Sequence, residues 1–267
     1  MVAGWQKVYK VDLKLTGKKV LITGSSKGIG AAIASKFLEE GADVLIVARN
    51  ANNLKKLEVT LQKKYGNNRV LSSVCDCSVE DSLLILKEFI KKEWGIIDIV
   101  IANVGSGESL PNLLPSNKEW LNSWNNNFDP ALYTSRVFLP MLEKSKGNLL
   151  FISSIAALES FGAPVDYSTA KIAIVGFSKN IARQVAKNIR VNVLLPGNVL
   201  FPGGSWDKKI KSNPEAIKKL IKTSVPMNRF GTPHEIADAA VFLCSERASF
   251  ITGSMLVIDG GQTVSIS

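Results

Sequence analysis

KKVLITGSSKGIGAAIASKFLEEGADVLIVA (residues 18–48) decides the fold. Lys18 to Thr23 is a compact apolar run, short enough for a strand. Three glycines, Gly24, Gly28 and Gly30, then interrupt it with the spacing T-G-x-x-x-G-x-G. A helical segment follows at once and ends at Gly41, a residue suited to leave a helix in the left-handed conformation. Asp43 to Ala48 is a second apolar strand. This is a strand–helix–strand unit with its glycines in the first turn. Glycine is needed where a backbone must turn tightly and approach a pyrophosphate without a β-carbon in the way. The helix start adds free N–H groups and a partial positive charge. The unit therefore predicts dinucleotide binding.

The same alternation runs through the rest of the chain. Helices are predicted over about 50–65 and 79–93, with strands at 69–74 and 96–102. A long helix should cover 117–144, a strand 148–153, a helix extends to about 187, and a strand starts at Arg190. Two short helices near 213–223 and 232–246 precede a last strand at 254–259. Short apolar strands of this kind suit a parallel sheet buried on both faces. The expected architecture is α/β, a doubly wound Rossmann fold in a single domain over 1–267. Its seven-stranded sheet is mostly parallel, with helices on both faces. Residues 1–17 form a lead-in that Trp5 and Tyr9 would dock, and about 198–224 would lie over the substrate pocket. Pro130 lacks the N–H that the carbonyl of residue 126 requires, which predicts a kink in the long helix.

Composition narrows the function. At 267 residues and 46% hydrophobic content, the chain can bury a large core, and disorder is excluded. No apolar run reaches membrane-spanning length, and no membrane partner is expected. The net charge of +10 could serve a nucleic acid. Yet the lysines scatter over helix faces without interleaved aromatics, so a solvated surface is the reading and no nucleic acid is expected. Cys75, Cys77 and Cys244 lack metal or disulfide spacing and read as reduced thiols of a cytoplasmic protein, with no metal site. His234, the lone histidine, sits in Thr232-Pro-His-Glu235, a capping box, and reads as structural.

Two further groups carry chemistry. The second strand ends in Ala48-Arg49 with no carboxylate, and Lys27 adds a cation in the glycine turn. That pair suits the 2′-phosphate of NADP(H), with NAD(H) as the alternative. Tyr167 and Lys171 are four residues apart and share a helix face. A phenol ionises near pH ~10, and a neighbouring cation would lower that value. Ser154 could hold an oxygen beside the phenol.

Thr23-Gly-x-x-x-Gly-x-Gly30, Asp76, Ala102-Asn-Val-Gly105, Asn127, Ser154, Tyr167, Lys171, Pro196-Gly197, Thr252-Gly253 and Asp259-Gly-Gly261 together resemble the short-chain dehydrogenase/reductase family, over about residues 17–263. The resemblance implies catalytic roles for Asn127, Ser154, Tyr167 and Lys171. It implies cofactor contacts from Gly24, Ser26, Lys27, Gly28, Ile29, Gly30, Arg49, Asp76, Cys77, Asn103, Gly105, Tyr167, Lys171, Pro196, Gly197 and Val199. Asp76 would meet the adenine ring, and Asn127 would position a water behind Lys171. The chain departs from the family where a Thr often contacts the carboxamide, a position held here by Phe201. Ala102 and Val104 also replace the usual Asn and Ala.

The implied activity is reduction of a ketone or 3-oxoacyl carbonyl to a secondary alcohol by NADP(H), with Tyr167 as general acid. Family members of this size include 3-oxoacyl-carrier-protein reductases and broad ketone or sugar reductases. Oxidation of a sugar or another secondary alcohol is the alternative. A cofactor-sensing regulator on the same fold would need no proton donor, and the complete catalytic set argues against it. The basic surface would suit an acidic carrier protein, although no local cluster demands one. The family's usual assembly implies a homotetramer.

Overall fold

The computed structural model describes residues 11–107 and 113–265, so the docking expected of Trp5 and Tyr9 lies outside the described residues. Seven strands form one sheet: β1 (Lys19–Thr23), β2 (Asp43–Ala48), β3 (Val70–Val74), β4 (Ile99–Ala102), β5 (Asn148–Ile152), β6 (Arg190–Pro196) and β7 (Met255–Ile258). Their order is β3-β2-β1-β4-β5-β6-β7 and all pairings are parallel. The helices are α1 (Gly28–Glu39), α2 (Ala51–Tyr65), α3 (Glu80–Glu93), α4 (Asn117–Asn127), α5 (Asp129–Ser145), α6 (Val165–Val185), α7 (Ser205–Ser212), α8 (Pro214–Ser224) and α9 (Pro233–Cys244).

Side chains alternate across a strand, so each strand feeds two cores. Val20, Ile22, Val44 and Ile46 pack with Ile33 and Phe37 of α1, Leu54 of α2 and Ile236 of α9. Leu21, Leu45 and Val47 point the other way, into the core shared with Leu86 of α3, Phe138 of α5 and Ile174 of α6. This double burial explains why the strands read as unbroken apolar runs. Strand order reverses between β1 and β4, so the crevice of the fold opens at their carboxyl ends.

The expected long helix is two helices. The break falls at Phe128, and Pro130 takes a first-turn position in α5, where the missing N–H costs nothing. The backbone N–H groups of Ala131 and Leu132 restart the ladder on the Phe128 carbonyl. Within the segment expected over the pocket, α7 is an additional helix ahead of the one expected near 213–223. Thr232 and Glu235 form the expected capping box at the start of α9. No helix among the described residues is long and apolar enough to cross a membrane.

Candidate active site

The glycine turn is tied to its neighbours on both sides. The Thr23 hydroxyl donates to the Ile101 carbonyl (3.2 Å) and accepts from the Asn103 N–H (3.0 Å). The Asn103 amide donates to the carbonyls of Thr23 and Gly24, both at 3.0 Å. On the β2 side, the Val47 N–H donates to Ser25 Oγ at 2.7 Å. Gly24 and Gly28 take left-handed φ angles of +62° and +59°. A β-carbon on Gly30 would stand 2.6 Å from Asn103 Nδ2. The first turn of α1 has no acidic residue and no side-chain cap, which leaves its N–H groups available to an anion. Bare backbone, open N–H groups and an exposed Lys27 fit a pyrophosphate.

At the outer end, Arg49 is 63% exposed and its Nη1 lies 3.8 Å from Asp76 Oδ2. Asp76 Oδ1 accepts from the Ser78 hydroxyl (2.6 Å) and N–H (2.9 Å). Burial alone would raise the Asp76 pKa, but the Ser78 bonds and Arg49 outweigh it and hold the carboxyl below its ordinary value. The residue expected to meet adenine and the one expected to meet a 2′-phosphate thus face each other across the rim.

The acid–base group stands at the ends of β5 and α6. The Ser153 hydroxyl, buried, donates to the Lys171 carbonyl at 2.8 Å and fastens α6 to the sheet. Ser154 follows, its Oγ accepting from the Ala156 N–H at 3.2 Å. One turn separates Tyr167 from Lys171, and Lys171 Nζ lies 5.7 Å from the centre of the phenol ring. Lys171 is only 3% exposed. Its ammonium fits because position 105 is glycine: a β-carbon there would lie 2.6 Å from Nζ. Asn127 is buried behind it. Its Oδ1 accepts from the Ser106 N–H at 2.9 Å and its Nδ2 donates to the Ser123 carbonyl at 3.0 Å. Asn127 therefore braces the loop at Gly105 and Ser106, with both ends of its amide used by the protein.

The electrostatics differ from the simple picture of a cation acidifying a phenol. Burial raises the Tyr167 pKa, opposed by a hydrogen bond with Ser154. Burial also lowers Lys171, from 10.5 to about 8. With Lys171 buried and Tyr167 partly buried at the cleft wall, desolvation outweighs the attraction between them and the expected lowering of Tyr167 is absent.

A cleft of about 700 Å³ joins these parts. Gly24, Ser26, Lys27, Ile29, Gly30, Arg49, Asp76, Cys77, Asn103, Gly105, Ser154, Tyr167, Lys171, Pro196, Gly197 and Val199 line it. Gly28 and Asn127 do not, because Phe201 covers the first and the Gly105 loop screens the second. The Phe201 ring lies 2.7 Å from where a β-carbon of Gly28 would be, so an apolar ring packs on the glycine turn where the family often places a hydroxyl. The Gly197 N–H donates to the Ile258 carbonyl at 2.9 Å and holds the turn after β6. Sequence reasoning missed Ser153, Phe161, Lys209 and Gln262 as parts of the site. Ser153 carried a faint signal, a second hydroxyl beside Ser154 at a strand end. The others had none.

A family model described as enoyl-(acyl carrier protein) reductase matches residues 24–263. The chain belongs to the short-chain dehydrogenase/reductase family. As a member of it, the protein is an oxidoreductase. The 3-oxoacyl-[acyl-carrier-protein] reductase of Chlamydia muridarum is 36% identical over 251 residues, 93% of this chain and 98% of the relative. The L-sorbose reductase of Gluconobacter frateurii, solved with NADPH and L-sorbose, superposes with a TM-score of 0.90 at 32% identity. It covers 96% of this chain and 100% of its own. A 7α-hydroxysteroid dehydrogenase, solved with NADH and 7-oxo glycochenodeoxycholic acid, gives 0.86 at 31%, covering 96% and 98%.

Proposed function

We propose that this short-chain dehydrogenase/reductase reduces a carbonyl to a secondary alcohol with NADP(H). The observation that carries the reading is one cleft lined at one end by the glycine turn, Lys27 and Arg49, and at the other by Ser154, Tyr167 and Lys171. NADPH in a solved relative supports the cofactor, and NADH in another keeps NAD(H) as the alternative.

When bound, the nicotinamide supplies the hydride. The protein supplies position and the proton. Tyr167, whose pKa is raised from its ordinary value, carries the proton and donates it to the substrate oxygen as charge develops there. Ser154 donates a hydrogen bond to the same oxygen and orients it. Lys171, its pKa lowered to about 8, can return a proton to the phenol side once product leaves. Asn127 keeps Gly105 close to Lys171, and through that brace it sets the ammonium's position. In the reverse direction the same residues oxidise an alcohol, with Tyr167 as base. Residues 198–224 act as the lid.

A homotetramer fits the exposed apolar side chains. Leu121 of α4 and Ile172 of α6 are exposed, as are Met255 of β7 and Phe250 shortly before it. A panel of ketones, 3-oxoacyl thioesters and ketoses, followed by consumption of NADPH and of NADH, tests the function. Turnover of at least one carbonyl class with NADPH is expected. No turnover of any class with either cofactor would overturn it.

A further inference from the structure

The lid half of the cleft holds a charge that reduction of a neutral carbonyl does not use. Its lining is mostly apolar: Phe161, Ala163, Pro164, Trp206 and Leu220. Lys209 is the charged side chain that α7 contributes to this lining. Its ammonium sits 4.5 Å from the centre of the Trp206 ring, which fixes it at the rim by a cation–π contact. Trp206 is itself packed on Phe230, 5.4 Å between ring centres. The carboxylate best placed to neutralise Lys209, Asp207 on the same helix, is taken. It accepts from Lys211 Nζ at 2.8 Å and from the Gly203 N–H at 2.9 Å. Among the described residues no carboxylate pairs with Lys209, and none lines the lid half of the cleft. Lys218, Lys219 and Lys222 of α8 extend the positive field, against Glu215 alone on that helix.

We propose that the substrate of this site carries an anionic group, a carboxylate or a phosphate, which Lys209 holds at the rim while the carbonyl reaches Ser154 and Tyr167. This rests on the reading of the cleft as a carbonyl-reducing site. An aromatic shelf beneath a cation that no carboxylate pairs with among the described residues selects for an acid over its neutral analogue. Ion pairing at an exposed rim is modest in strength, so the effect falls on binding and not on the chemical step.

Two matched pairs test it. Acetoacetate against its methyl ester reports a carboxylate close to the carbonyl. Acetoacetyl-coenzyme A against the acetoacetyl thioester of N-acetylcysteamine reports a distant phosphate. The expected result is a preference for the anionic member of one pair, roughly three- to tenfold in kcat/KM and expressed in KM. Lys209→Gln should erase that preference and Lys209→Arg keep it. Lys218→Gln, outside the cleft, should leave it in place, and added salt should weaken it. The pair that responds names the source of the charge. If neither pair shows a preference, or if Lys209→Gln leaves it intact, the inference is overturned. Absence of turnover with all four compounds and with the wider carbonyl panel would instead remove the underlying reading, and the inference with it.

Discussion

The two ends of the cleft are built in different ways. The glycine turn rests on α1, whose Ile33, Ala34, Phe37 and Leu38 are buried against the sheet, and it is stitched to β2 and β4 by Ser25, Thr23 and Asn103. The proposed lid at the other end rests on α7, which buries no residue, and α8, which buries only Ile221. A phosphate cradle must hold N–H groups in place before the ligand arrives, and a rigid, fully packed base does that. An element that must move for a ligand to enter is drawn from the weakly packed end of a molecule.

The largest expected effect tests the end where chemistry occurs. Tyr167→Phe removes the proton donor and should lower kcat by roughly 10²- to 10⁴-fold. The cofactor dissociation constant and thermal unfolding should stay close to those of the unmodified protein. Retained turnover on a good substrate would break the assignment.

The packing contrast can be measured directly. Phe37→Ala opens a cavity under the glycine turn and should cost about 3–5 kcal/mol in denaturant unfolding. Ile221→Ala, at the edge of the lid, should cost about 2 kcal/mol or less, the bottom of the range for such truncations. Equal losses would mean that the lid is as firmly built as the base.

Lys171 gives a pH-dependent test. Its folded pKa of about 8 lies below the ordinary 10.5, so the folded state binds fewer protons than the unfolded state between those values. The burial penalty is present in full below pH ~8 and fades as pH rises toward ~10.5. Lys171→Met should therefore stabilise the protein without cofactor at pH 7, by at most about 3 kcal/mol, and the gain should shrink by pH 10. Activity should be lost throughout. A gain that grows with pH would contradict the sign of the shift.

Legibility followed the same division. Gly24, Gly28, Gly30, Tyr167 and Lys171 were readable because their chemistry is local: spacing within one turn or one helical repeat places them. The seven strands were readable because double burial leaves an unbroken apolar signature. Phe201 against Gly28 was not, since a loop after β6 meets a turn after β1 only in three dimensions. Nor was the Ser153 bond to the Lys171 carbonyl, which joins residues eighteen apart through the sheet edge. The opposed shifts of Tyr167 and Lys171 depend on burial depth, which spacing alone does not report. α7 was hidden because it is only eight residues long and its apolar side is the single half-buried pair Trp206 and Ile210, too short to stand out as a stripe.

The most direct test of the central claim lies at the rigid end, where Arg49 and Lys27 stand at the cofactor rim and β2 ends in Ala48 and not in an acid, with the Asp76 carboxylate held 3.8 Å from Arg49. It is the pair of dissociation constants for NADPH and NADH, measured on the unmodified protein and on Arg49→Ala. A charge-assisted bond of about 1.5–3 kcal/mol corresponds to roughly tenfold or more. NADPH should bind at least that much more tightly than NADH, and Arg49→Ala should weaken NADPH by a similar factor while changing NADH little. Equal affinity of the unmodified protein for the two cofactors would contradict the account and return Arg49 to an ordinary surface arginine.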